Sequence, residues 1–222
     1  MPLRVLSNTG GLASTCCYVV ADDATGDCVL VDAPDHTAGD LLREAHRLGW
    51  SLRGLWLTHG HFDHIADHPL VGDDLPVLIH PLDADKLRDP AAMMNAFARI
   101  SGFRVPLDIP PREPTGLLDD CQELRVGDVR CRVIHTPGHA PGHVCFHFED
   151  DAVLVGGDLI IGGAIGRTDL PDSDEAALSA SVRRVMALPP ETKLLPGHGR
   201  PSTLADERAS NPFVAAALAH SG

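Results

Sequence analysis

Thr58-His59-Gly60-His61-Phe62-Asp63-His64 is the stretch on which the reading of this chain turns. It sets three imidazoles and one carboxylate within the six residues 59–64, directly after the apolar run Leu52-Arg53-Gly54-Leu55-Trp56-Leu57. Neutral imidazole nitrogen and carboxylate oxygen are the usual ligands of borderline divalent metals. A strand that ends in such a turn aims several ligands at one point, and a solvated polar loop has little other use for that density.

Three further segments place a metal-type ligand beside glycine or proline after an apolar stretch. Thr136-Pro137-Gly138-His139 follows Val133 and Ile134. Gly156-Gly157-Asp158 follows Ala152-Val153-Leu154-Val155, and Pro196-Gly197-His198-Gly199 follows Leu194 and Leu195. Strand, tight turn and ligand recur four times. Glycine permits the backbone geometry and the close approach such turns need. The pattern predicts one site assembled at the ends of several strands.

In their order, a histidine-rich loop, a later single histidine, an aspartate and a final histidine, these motifs resemble the metallo-β-lactamase superfamily across nearly the whole chain. Within it, Gly166-Arg167-Thr168-Asp169-Leu170-Pro171 resembles the glyoxalase II group. So does Pro196-Gly197-His198-Gly199 with Glu207-Arg208 and Asn211-Pro212-Phe213. More closely, the chain is similar to the short glyoxalase II-like (hydroxyacylglutathione hydrolase-like) hydrolases. The full-length enzymes carry further helices with basic and aromatic residues that hold glutathione. The chain ends soon after His198, so those positions have no counterpart and glutathione recognition stays open.

The resemblance implies a division of labour. His59, His61 and His139 would bind one metal. Asp63, His64 and His198 would bind a second, and Asp158 would bridge them. All seven positions hold the expected residue type. Two cations roughly 3.5–4 Å apart clamp both ends of a displacement, and a coordinated water can reach a pKa of about 7. The nucleophile is then water-derived, with Asp63 and Asp158 as the catalytic carboxylates. No GxSxG is present. Zinc is the expected metal, with iron or manganese accepted by the same ligand types. A thiol, with a pKa near 8.5, leaves without strong protonation, whereas an amine needs a general acid. The motifs supply no dedicated acid, which favours thioesters or activated esters over amides; the resemblance implies small thioesters such as S-2-hydroxyacylglutathione.

Other polar residues carry weaker readings. Asp32 closes the strand ending at Val31 and resembles the aspartate that supports the histidine loop from behind; the alternative is a turn aspartate. His143 sits where it can hydrogen-bond a ligand. Arg167 and Asp169 either meet a substrate carboxylate, orient loops or form a structural ion pair. His36, His46, His68, His80, His147 and His220 read as surface or satisfied core residues.

Composition bounds the rest. The 222 residues suit one hydrolase domain spanning 1–222, and 44% hydrophobic with 22% charged residues is the make-up of a soluble globular protein. A net charge of −13 argues against a phosphate-backbone partner, so nucleic acid is not expected. No stretch of about 18 apolar residues occurs, so no membrane span is expected, and no convincing cleavage site follows Arg4. Six cysteines without a CxxC read as reduced core residues of a cytoplasmic protein.

The hydrophobic pattern predicts an α/β chain. Strands are expected at Leu3–Leu6, Cys16–Ala21, Cys28–Asp32, Leu52–Thr58 and Val77–Ile79, with a helix carrying Leu41, Leu42, Ala45 and Leu48 that Gly49 stops. The second half predicts strands at Gln122–Val126, Val129–Ile134, Val144–Phe148, Ala152–Gly156 and Lys193–Leu195, and a helix at Asp174–Ala187. Two strand-rich halves, each closed by a helix, fit the αβ/βα sandwich that the resemblance implies: two mixed sheets face to face, helices outside. Residues 83–120, helical first and proline-rich later, either fold over the metal mouth as a substrate-covering insertion or form a packed helix and surface loop.

Rival readings share these loops. A mononuclear iron persulfide dioxygenase is the main alternative. A lactonase or esterase of the same fold ranks lower, and a non-catalytic metal-binding module ranks lowest because no ligand is missing.

Overall fold

The computed structural model describes residues 3–219, so His220 lies outside the described residues. The first sheet runs in the order β1 (Leu3–Gly10), β2 (Thr15–Asp22), β3 (Asp27–Val31), β4 (Ser51–Trp56), β5 (Val77–Ile79), β6 (Gly116–Leu117). Its first two pairings are antiparallel and the next three parallel. The second sheet comprises β7 (Glu123–Val126), β8 (Val129–His135), β9 (Val144–Phe148), β10 (Val153–Gly157), β11 (Lys193–Pro196) and β12 (Ser202–Thr203), neighbours in chain order. Only β10 and β11 pair parallel there.

Strand periodicity builds the layers. All eight residues of β2 are buried. Cys17, Val19 and Ala21 face the helix layer with Leu41 and Ala45. Cys16, Tyr18 and Val20 face the other sheet, meeting Phe146, Phe148 and Val155. A strand covered on both faces reads as a continuous apolar run. On the far side, Cys145, Leu154 and Leu194 pack against a third layer with Leu178, Val182 and Val214. The result is the αβ/βα sandwich, with sheets inside and helices outside.

Helix α1 (Ala38–Arg47) buries Ala38, Leu41 and Ala45 and stops at Gly49, whose φ of +80° suits glycine. Helix α2 (Phe62–Ile65) is one turn within the histidine loop. Helices α3 (Ala84–Arg88) and α4 (Pro90–Ser101) follow; the Asp89 side chain caps α4 by accepting from the Ala92 N–H. The proline-rich part of residues 83–120 is anchored, with Val105 and Ile109 buried in the first core. Arg112 donates to the carbonyls of His68, Gly72 and Leu75. Helix α5 (Glu175–Val185) falls within the predicted span.

Beyond it, α6 (Leu204–Ser210) and α7 (Pro212–Ala219) were not predicted as helices. Buried Glu207 accepts from Gly163 N, Ser202 Oγ and Asn211 Nδ2. Asn211 Oδ1 accepts from the N–H groups of Phe213 and Val214, capping α7. One expectation fails: Cys121 is exposed, in a left-handed turn with φ +62°, and is not a core thiol. The other five cysteines are buried and free.

Candidate metal centre

All four ligand segments converge at the strand ends of the two sheets. Three groups of side chains bring their ligand atoms within 4.8 Å of one another: His59, His61 and His139; His59, His64 and Asp158; Asp63, His64 and His198. Asp158 stands between them. Its carboxylate lies 3.4 Å from His64 Nε2, 3.4 Å from His139 Nε2 and 3.3 Å from His198 Nε2.

The neighbours of each imidazole fix which nitrogen points inward. Asp32, buried and at φ +59°, accepts from the Thr58 N–H, the Thr58 hydroxyl and His64 Nδ1, each at 2.8 Å. That turns His64 Nε2 inward, the nitrogen whose lone pair is offered once its proton is displaced. The Thr58 hydroxyl, its proton given to Asp32, accepts from His59 Nδ1 at 3.0 Å, so the His59 lone pair is also on Nε2. His139 Nδ1 donates to the Arg167 carbonyl at 2.9 Å. Its Nε2 therefore faces His61 Nδ1, 2.9 Å away.

These inward atoms lack partners suited to them. His59 Nε2, His64 Nε2 and Asp158 Oδ1 are buried without a hydrogen bond. Unpaired buried polar atoms cost about 1–3 kcal/mol each, so a cluster of them calls for an ion. The donor set, five imidazoles and two carboxylates, is that of zinc, iron or manganese. The residues fit the metals that the sequence implies.

Electrostatics agree. Burial pushes His59 and His61 well below the ordinary histidine value, which keeps them neutral and ligand-ready. Burial also pushes His64 and His198 down, but the carboxylates outweigh it. Asp158, Asp32 and Asp63 lift His64 well above its usual range, and Asp158 and Asp63 lift His198 to about 10. In the metal-free chain, protons on these rings supply the positive charge that Asp63 and Asp158 require.

Backbone shape is equally specific. A Cβ on Gly197 would overlap Asp158 Oδ1 and lie 2.9 Å from His64 Cε1. Gly157 has φ +48°, and a Cβ there would lie 2.7 Å from His143 Nε2. His143 shares a hydrogen with the Thr136 hydroxyl through Nδ1 and accepts the Asp158 N–H through Nε2 at 3.0 Å. Burial, with His139 adding, lowers it to about 3, so it stays neutral and able to accept.

Every ligand candidate named from sequence is brought to this centre, with Asp32 and His143 directly behind it. Arg167 and Asp169 are not: they form a bidentate ion pair at 2.6 and 2.7 Å on the surface. Only the Arg167 carbonyl touches a ligand candidate. Two residues were missed. Thr15 donates its hydroxyl to Asp63 Oδ2 at 2.8 Å. Fully buried Asp83 accepts from Gly60 N at 2.7 Å and Gly142 N at 2.8 Å, joining the loops of His61 and His139. No local motif marks either residue, because their partners lie 48, 23 and 59 residues away.

The centre floors a cavity of about 500 Å³, walled by α4 and the segment around Leu170. A profile of the Metallo-beta-lactamase superfamily matches residues 10–198, and the chain belongs to that superfamily. With these histidine and aspartate groups it is a metal-dependent hydrolase of the superfamily. It is 32% identical to a hydroxyacylglutathione hydrolase of Cereibacter sphaeroides (strain ATCC 17023) over 219 residues, covering 98% of this chain and 72% of the relative. The crystal structure of BLEG-1 B3 metallo-beta-lactamase superposes with TM-score 0.84 at 32% identity, covering 95% of this chain and 99% of that one. TTHA1623, crystallised in a di-iron-bound form, superposes with TM-score 0.79 at 37% identity, covering 94% and 99%. No helix among the described residues is long and apolar enough to cross a membrane.

Proposed function

We propose that this chain is a thioester hydrolase acting through two divalent metals, with S-2-hydroxyacylglutathione and related small thioesters as the substrates to test. The observation that carries the reading is the cavity lining. Histidine and aspartate line its floor, and no serine, threonine or cysteine lines it among the described residues. A hydroxyl or thiol nucleophile is therefore not at hand in the lining, and the carboxylates of the floor are assigned to the metals, which supports water as the attacking group.

His59, His61 and His139 are assigned to one metal, Asp63, His64 and His198 to the other, and Asp158 to both. Bound there, the metals supply Lewis acidity for the carbonyl oxygen and a water-derived nucleophile at neutral pH. Asp63 and Asp158 face the cavity, where they can orient that water and accept its proton. Asp32, Thr58 and His143 keep the ligand atoms aimed. Water forms the new C–O bond, the C–S bond breaks, and the products are a carboxylate, a proton and a thiol. Lys86, the one ammonium lining the cavity among the described residues, is held by Asp83 and Asp172 at 3.1 and 2.7 Å. It is thus not a free acid for an amine leaving group, which supports a thiolate as the group that departs. The Cereibacter relative supports the same chemistry.

The test is steady-state hydrolysis of a thioester panel by zinc-, iron- and manganese-loaded protein, with metal stoichiometry by elemental analysis. Thioester turnover with two metals per chain is expected. Absence of thioester turnover, with oxygen uptake on glutathione persulfide, would replace this reading by the dioxygenase.

A further inference from the structure

The cavity wall and rim carry information that the metal centre does not. Asp89, the cap of α4, and Ala92, Met93, Ala96 and Phe97 of the helix line the cavity. Their spacing of three, four, seven and eight residues defines one helical face. The face is fixed from behind: Met93, Met94 and Phe97 pack on the first core, and Phe97 meets Phe62 at 5.4 Å between ring centroids. Leu170 and Pro171 close the opposite side. Above the metal floor the walls are thus apolar and anchored.

The rim carries more carboxylates than cations: Asp85, Asp89 and Asp172 line it against Lys86 and Arg167. Asp85 pairs with Arg88 from outside the lining and Asp172 with Lys86, which leaves Asp89 as the carboxylate without a cation among the described residues. Neither cation is free. Lys86 is taken by Asp83 and Asp172, and Arg167 by Asp169, while the Arg167 guanidinium lies 6.0 Å from the Phe97 ring centroid. A glutathione tail brings two carboxylates and one ammonium, and would meet this rim with no unpaired cation to receive it. The chain's net charge of −13 repels it further.

We propose, resting on the thioester-hydrolase reading, that the site takes thioesters with an apolar acyl group of several carbons and an uncharged thiol portion. The α4 face is the specificity determinant, contacting the acyl chain. The acidic rim excludes anionic tails. Each methylene buried against the wall raises kcat/KM about fourfold, the equivalent of the usual transfer free energy.

The test is a two-by-two panel on the metal-loaded chain: hexanoyl and lactoyl thioesters of N-acetylcysteamine and of glutathione. The expected order puts hexanoyl-N-acetylcysteamine first by at least tenfold over its lactoyl counterpart, with both glutathione esters slower than their neutral partners. Binding of a non-hydrolysable hexyl thioether of N-acetylcysteamine, followed by calorimetry, reads the wall without turnover. Ala92 is exposed to the cavity and outside the core. Ala92→Trp should therefore leave folding intact, abolish thioether binding and cost the hexanoyl ester at least tenfold more than it costs an acetyl ester. Asp89→Asn with Asp172→Asn keeps an α4 cap and frees Lys86 from Asp172. It should raise kcat/KM for the glutathione esters severalfold at low salt, with the gain fading in high salt. Preference for lactoylglutathione in the parent chain, or Ala92→Trp acting equally on acetyl and hexanoyl esters, overturns the proposal while leaving the thioester hydrolase standing. No turnover of any thioester overturns both.

Discussion

Replacing Asp83 is the sharpest test of how this centre is held together. Its carboxylate is fully buried and accepts two backbone N–H groups, Gly60 from the histidine loop and Gly142 from the His139 loop, with Lys86 Nζ at 3.1 Å. Asp83→Ala leaves both N–H groups buried without an acceptor. Each such group costs about 1–3 kcal/mol, so about 2–6 kcal/mol together. Lys86 keeps its partner Asp172, which is partly exposed, so that change adds little. Asp83→Asn retains one acceptor and turns an NH2 toward the other donor, so about half the loss is expected. Against a typical domain stability of about 5–15 kcal/mol, both variants should fold but melt early. Urea unfolding of the metal-free chain gives the number, because bound metal adds its own linkage stability. Zinc affinity by competition is the second readout. Gly60 separates His59 from His61, so a loosened loop should weaken binding by about 10–100-fold, as for other groups that orient metal ligands. An alanine variant within about 0.5 kcal/mol of the parent, the range of inert surface changes, and with unchanged zinc affinity would refute the idea that Asp83 clamps the two loops.

Asp158→Ala should strip both metals and abolish turnover, whereas His64→Ala should lower stoichiometry toward one; elemental analysis of each separates them. Gly197→Ala forces the Asp158 carboxylate aside, and a shift near 1 Å should cost about a hundredfold in rate; Gly156→Ala, which meets only the tip of Leu194 at 2.6 Å, is the paired control. Metal loading at pH 7 should release protons, detectable with a weakly buffered indicator, because His198 sits at about 10 in the metal-free chain and a ligand must be unprotonated. The sign is fixed by that raised value: the His198 ion pairs stabilise the metal-free fold fully below pH 6.5, the contribution fades as pH climbs through about 10, and apparent metal affinity falls as pH drops.

The sequence alone determined the candidate ligand set and an α/β chain, and its motifs, through the family resemblance, the layered sandwich. His59, His61, Asp63 and His64 fall within one turn and its approach, so their spacing alone brings them near one point, while Asp32, Thr15 and Asp83 set the final aim. His139, Asp158 and His198 were legible because each ends an apolar strand at a glycine-bearing turn. The apolar run Cys16–Ala21 marked β2 as a strand, and the sandwich decided that both its faces are buried. Tertiary structure decided what local pattern does not encode. Asp83 looks like any helix-entry aspartate until packing places it between Gly60 and Gly142. Residues 83–120 read equally as cover or as surface loop. Burial of Val105 and Ile109 anchors the segment, and one face of α4 is thereby turned to the cavity. Cys121 resembled its core neighbours, yet a left-handed turn exposes it. Arg167 read from sequence as a substrate group, a loop-orienting group or half of a structural ion pair; packing selects the pair with Asp169, and only its carbonyl reaches His139. In each case the deciding partner is chosen by three-dimensional packing, whereas the candidate metal ligands are marked by residue type and by turns that the chain makes locally.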